Sequence, residues 1–139
     1  MSEIAVLIVD DNEEDRYLLM RQLRETGLKL HIFEEQDGRA ALEFFADHQS
    51  RRTELPDRYP PQVVFLDINM PLLDGYGFLK EYAQLRQQVD GIGSAVVMYS
   101  SSEEQAEKQK AFEYDFVKDY LVKGKFTSKQ LKDRLLNVV

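Results

Sequence analysis

Two continuous apolar runs, Ile4-Ala5-Val6-Leu7-Ile8-Val9 and Val63-Val64-Phe65-Leu66, each stop on aspartate: Asp10-Asp11 after the first, Asp67 after the second. Runs this short and apolar at every position fit strands covered on both faces, which is the condition of a parallel sheet. If the two strands are neighbours, three carboxylates converge at one mouth. Carboxylates held together repel and raise each other's proton affinity, so the arrangement is costly unless a cation neutralises it. A magnesium site is the natural explanation.

The chain's 139 residues, 43% of them apolar, suit one compact domain over residues 1–139. There is no cysteine, which removes disulfides, thiolate metal sites and thiol redox chemistry, and fits a reducing compartment. No basic leader followed by a long apolar stretch opens the chain, and no apolar segment approaches the ~20 residues that span a bilayer. A soluble, cytoplasmic protein is expected. A formal charge of −7 disfavours nucleic acid and anionic membranes as partners.

Strand-like runs alternate with segments of helical period, five of each, the pattern of helices crossing over between parallel strands. Asn12 is placed to cap a first helix whose opening turn holds Glu13, Glu14 and Asp15, with Gly27 as its stop. Leu28 to Phe33 alternates, as an edge strand does, and Asp37 opens the second helix. Between Asp47 and Gln62 the polar, proline-bearing sequence reads as a long exposed connector.

A helix starting near Gly75 to Gly77 should bury Phe78, Tyr82 and Leu85, and Ala95 to Tyr99 forms the fourth strand. Glu103 to Phe116 is mostly charged, with a thin apolar stripe of Ala106, Phe112 and Phe116. Tyr120 to Val122 is a short fifth strand. Thr127 and Gln130 form a capping box ahead of Leu131, Leu135 and Val138. His31 and His48 have no spacing suited to a metal and read as structural or solvated.

Four motifs, in order, are Val9-Asp10-Asp11-Asn12, Phe65-Leu66-Asp67-Ile68-Asn69-Met70-Pro71-Leu72-Leu73-Asp74-Gly75, Tyr99-Ser100-Ser101 and Tyr120-Leu121-Val122-Lys123. Together they resemble the receiver domain of two-component response regulators, in the single-domain form related to chemotaxis and phytochrome-associated regulators. The similarity covers nearly the whole chain. It implies an α/β, flavodoxin-like fold: a doubly wound five-stranded parallel sheet of order 2-1-3-4-5 with five helices and ligands beyond the carboxyl ends of the strands.

The resemblance further implies that Asp67 is the phosphoacceptor, attacking a phosphoryl group carried by a histidine kinase or phosphotransfer protein. Asp11 would bind Mg2+ directly, Asp10 through a water, Asn69 through its backbone carbonyl, and Asp67 would complete the protein ligands. Lys123 would pair with Asp67 at rest and with a phosphoryl oxygen afterwards. Ser100 would donate to the phosphoryl group and act with Tyr120 as the switch, read out on the face of the fourth helix, fifth strand and fifth helix to a downstream protein target. Asn69 and Ser102 would line the route of hydrolytic water.

The chain departs from the pattern after Lys123, where receivers usually carry a cis-proline. Gly124 stands there instead, and a trans peptide is expected. Ser101 competes with Ser100 for the hydroxyl role. The nearest enzymatic rival is a magnesium-dependent phosphohydrolase with an aspartate nucleophile, but such enzymes resemble Asp-x-Asp and this chain reads Asp67-Ile68-Asn69. Without the second acid, turnover should be slow and the acyl phosphate should persist, as in a signalling protein rather than an enzyme. A flavin or dinucleotide carrier needs a glycine- or hydroxyl-rich loop after its first strand, which Asp10-Asp11-Asn12 is not. A phosphorylation-independent interaction module is the third alternative. The expectation is a stand-alone response regulator with no output domain, as monomer or weak homodimer.

Overall fold

Alternation of short apolar strands with amphipathic helices produces one parallel sheet, described in a computed structural model over residues 3–139. The strands are β1 (Ile4–Val9), β2 (Leu30–Glu35), β3 (Val63–Leu66), β4 (Ala95–Ser100) and β5 (Val117–Val122). The helices are α1 (Glu13–Glu25), α2 (Gly38–Ala46), α3 (His48–Glu54), α4 (Gly75–Gln88), α5 (Gln105–Ala111) and α6 (Ser128–Val138). The strand order is β2-β1-β3-β4-β5, as expected. No helix among the described residues is long and apolar enough to cross a membrane.

Side chains alternate across each strand, so the sheet divides its core in two. Val6 and Ile8, Val63 and Phe65, Val97 and Tyr99, and Leu121 pack with Leu19 and Leu23 of α1 and Leu131 and Leu135 of α6. The other face joins Leu7, Val9, Val64, Leu66, Met98 and Tyr120 to Phe44 and Phe45 of α2, Phe78 and Tyr82 of α4, and Ala111 of α5. Burial of so many large apolar side chains is the main force holding these layers together.

Helix boundaries follow local chemistry. The Asn12 side chain accepts from the Asp15 N–H at 2.9 Å, Asp37 from Ala40 at 2.8 Å, and Asp74 from Gly77 at 2.8 Å. Each leaves fewer amides unpaired at a helix start. Thr127 and Gln130 close the reciprocal capping box. After α1, Gly27 takes a positive φ of 75°.

Several elements differ from the sequence expectation. Among the described residues there are six helices rather than five, because the start of the connector after Asp47 folds into α3. Its His48 is buried and meets the Tyr59 hydroxyl at 2.9 Å, and Tyr59 packs beside Phe44 and Phe45. Strand β2 begins and ends two residues later than its alternation suggested, and β5 starts at Val117. Helix α5 is half the length expected: Phe112 is exposed, Phe116 lies beyond the helix, and Ala111 makes the buried contact. Leu85 is partly buried, not a core residue.

Candidate functional site

The two-residue alternation that sorts the core also selects which side chains meet at the strand ends. Asp10 continues the row of Val6 and Ile8, Asp67 that of Val63 and Phe65, and Lys123 follows Leu121, all towards the α1–α6 face. Asp67 follows β3 directly, beside β1, where Leu66 is in register with Val9. The Asp67 N–H donates to the Val9 carbonyl at 3.0 Å. The expected convergence therefore rests on backbone pairing.

Asp10, Asp11 and Asp67 each offer a carboxylate oxygen, and these lie within 4.8 Å of one another. Asp10 is fully buried, Asp67 is 6% exposed, and Asp11 faces solvent. One oxygen of each buried acid is held by backbone: Asn12 N–H donates to Asp10 Oδ1 at 2.9 Å, and Ile68 N–H to Asp67 Oδ1 at 2.8 Å. The second oxygens turn towards Lys123, whose Nζ stands 2.7 Å from Asp10 Oδ2 and 3.5 Å from Asp67 Oδ2.

This geometry shapes proton affinity. Burial, then the Asp10 charge, raises the Asp67 pKa to about 6, against the opposing pull of Lys123 and the Ile68 amide. Burial alone would lower the Lys123 pKa, but hydrogen bonds to Asp10 and Asp15 and the charge of Asp67 carry it above the ordinary lysine range. The pocket thus holds a fixed ammonium and remains short of positive charge around Asp67. Three hard oxygen donors of this kind suit a divalent cation such as Mg2+.

Ser100 ends β4 and is fully buried, its Oγ accepting from the Ser102 N–H at 3.1 Å, whereas Ser101 is exposed. The Tyr120 ring is buried and its hydroxyl donates to the Ser102 carbonyl at 2.9 Å, linking β5 to the segment after Ser100. Asn69 is exposed on the loop after Asp67. Ser102 does not cap α5, whose N-cap position is Glu104; its Oγ accepts from the Glu104 N–H at 3.2 Å. The Lys123-Gly124 peptide is trans, since Tyr59-Pro60 is the only cis bond among the described residues, and Gly124 has φ +75°.

Two residues beside the pocket carry more than the sequence reading assigned. Asp15, read as a helix-start acid, accepts a 2.8 Å hydrogen bond from Lys123 Nζ. Arg16, buried, donates from Nη1 to the Asp10 carbonyl at 2.6 Å and from Nε to Glu34 at 3.1 Å, fixing the backbone that presents the acidic pair. The only sequence signal for Arg16 was a basic residue in an otherwise acidic first turn.

The loop from Asp67 to Gly75 is tightly drawn. Gly75 N–H donates to the Ile68 carbonyl at 2.7 Å, and a Cβ at Gly75 would collide with the Asp67 carbonyl oxygen. Leu73 N–H donates to the Pro71 carbonyl at 2.7 Å across Leu72, which has φ 67° and is 81% exposed. This is a γ-turn of the strained, positive-φ form.

Comparison with known proteins agrees with the fold. Residues 6–136 match the family model described as the response regulator receiver domain. A probable transcriptional regulator, ycf27, of Guillardia theta is 35% identical over 96% of this chain, which spans 44% of that protein's length. The crystal structure of a two-component response regulator from Cytophaga hutchinsonii has a TM-score of 0.81 at 25% identity, covering 99% of this chain and 98% of that one. The Mn2+-bound form of response regulator Rcp1 has a TM-score of 0.66 at 26% identity, covering 96% of this chain and 88% of that one.

Proposed function

The chain belongs to the response regulator receiver family of two-component signalling, and from that membership we propose that Asp67 accepts a phosphoryl group from a histidine kinase or phosphotransfer protein. The observation that carries this reading is the meeting of Lys123 with Asp10 and Asp67 at the carboxyl edge of the sheet. Asp67 Oδ2 has no backbone donor and is the oxygen free to attack phosphorus. As the new oxygen–phosphorus bond forms, the bond from phosphorus to the donor histidine nitrogen breaks, and its electron pair stays on that nitrogen. The product is an acyl phosphate. Lys123 then offers its ammonium to a phosphoryl oxygen.

Asp10, Asp11 and Asp67, with the Asn69 backbone carbonyl, would hold Mg2+, a reading supported by the carboxylate spacing and by the Mn2+-bound relative. When bound, such an ion neutralises the charge that otherwise keeps a phosphoryl group away from three carboxylates. The Ser100 hydroxyl, rather than the exposed Ser101, donates to the phosphoryl group, and Tyr120 responds through the segment around Ser102. The altered surface is that of α5, β5 and α6, offered to a downstream protein.

The test is incubation with Mg2+ and acetyl phosphate followed by intact mass measurement. A single phosphoryl adduct, stable in acid and labile in base, is expected, and it should be absent from Asp67→Asn. Rapid multiple turnover of small phosphate esters would instead assign the chain to the phosphohydrolases.

A further inference from the structure

Lys123 is shared between Asp10 inside the phosphoryl pocket, 2.7 Å from its Nζ, and Asp15 outside it, and both hold it more closely than the proposed nucleophile Asp67 does. Its Nζ is 2.8 Å from Asp15 Oδ2 and 3.5 Å from Asp67 Oδ2, the first within hydrogen-bond distance and the second beyond it. The position of Asp15 explains its availability. It stands three residues after the Asn12 cap, where the acid of a capping box normally folds back onto the cap's own N–H. Here that N–H is already donated to Asp10 Oδ1, so the Asp15 carboxylate projects towards Lys123.

The seat also has an aromatic wall, and the Tyr99 hydroxyl reaches the Asp15 carbonyl at 3.5 Å. The Tyr99 ring centroid lies 5.2 Å from Lys123 Nζ, within the range of a cation–π contact, and Tyr99 is buried. Asp15, Tyr99 and Lys123 border a cleft of about 520 Å³ between α1 and the turn at Gly124, so the lysine tip has room on the Asp15 side.

We propose that Asp15 is a positioning residue that holds Lys123 in a resting seat, which the lysine must leave to clamp an incoming phosphoryl group. The proposal rests on the reading of Lys123 as that clamp. Breaking the bond to Asp15 subtracts from the free energy of the phosphorylated state, so Asp15 sets how readily the switch is thrown. No change at the nucleophile is required.

Beryllium trifluoride with Mg2+ is the probe, because it mimics a phosphoryl group without transfer, and binding is read by 19F NMR titration. Asp15→Asn should bind about two- to fivefold tighter than wild type, the range for loss of one partly exposed charged pair. Asp15→Glu should return towards wild type. In a Lys123→Ala background the gain from Asp15→Asn should vanish, because the lysine is the element that Asp15 restrains. Asp15→Ser, also compatible with a helix start, provides the same comparison if the asparagine variant is poorly folded.

Unchanged affinity in Asp15→Asn overturns the resting seat while leaving the clamp intact. A gain that persists without Lys123 also overturns it, since that result means only relief of negative charge near the anion. Lys123→Ala binding as tightly as wild type would sink the clamp itself, and binding insensitive to Asp67→Asn would sink the phosphoacceptor.

Discussion

Asp67 holds its proton more tightly than a free aspartate because burial and the Asp10 charge outweigh the help of Lys123. Its folded pKa, about 6, lies above the ordinary value of 3.8, so the native state carries more protons than the unfolded chain between those pH values. Its ionisation costs stability as pH rises through that window, on the order of 2–3 kcal/mol once complete. Asp67→Asn should therefore raise the unfolding free energy at pH 7 and change it little near pH 4, as measured by urea titration; equal effects at both pH values would contradict the electrostatic origin. Lys123→Ala should retain some phosphorylation by acetyl phosphate but weaken the conformational response, because the clamp and not the nucleophile is lost. Tyr120 resonances that shift fully on phosphorylation of that variant would oppose this. Asp10, Asp11, Asp67 and Lys123 were legible in the sequence because each terminates an apolar run. Asp15 and Arg16 were not, since their partners, Lys123 and Glu34, lie far along the chain and only the tertiary fold supplies them.

The loop between β3 and α4 shows what an element tolerates in order to place a side chain. Leu72 adopts a left-handed backbone that costs a branched residue about 1 kcal/mol and gains no burial. Leu72→Asn should increase the unfolding free energy by about 0.5–1 kcal/mol, since asparagine accepts this conformation more readily; a loss of stability would mean that the leucine makes contacts the fold depends on. Gly75→Ala should act oppositely, destabilising by about 1–3 kcal/mol because its methyl group meets the Asp67 carbonyl and lies 2.9 Å from the Ile68 Cα. Urea titration separates the two. Central strands were legible because every position is apolar. The edge strands were misjudged because their outward positions are polar: β5 begins with Val117-Lys118-Asp119, and Asp119 is occupied by a two-pronged contact with Arg134. Helix α3 was hidden for a related reason. Its own residues are polar, and the burial of His48 goes with Tyr59, which lies beyond the helix and is anchored by the phenylalanines of α2.

At the scale of the whole molecule, the acidic mouth is a weak point that a ligand can mend. A cation bound only by the folded protein stabilises it by mass action, about 3 kcal/mol at a hundredfold excess over the dissociation constant. Adding Mg2+ should raise the melting temperature at pH 7, and Asp11→Asn should lose most of that gain while its metal-free melting temperature stays near wild type, because Asp11 faces solvent. An equal rise with and without Asp11 would show general salt screening instead. The order of the five strands was legible through the likeness of four motifs, while composition alone reached only the class of alternating strands and helices. The alternation of side chains has one more consequence. Asp10, Asp67 and Lys123 lie on the side of α1 and α6, whereas Ser100 continues the row of Met98 towards the side where Tyr120 packs. In the proposed scheme, transfer happens beside α1, and the message passes over the rim of the sheet through Ser100 and Tyr120 to a surface made of α6 on the first bank and α5 on the other. A change on α1 can then retune reception of the donor without touching Tyr120, whereas a change on α6 reaches the receiving bank and the readout surface at once.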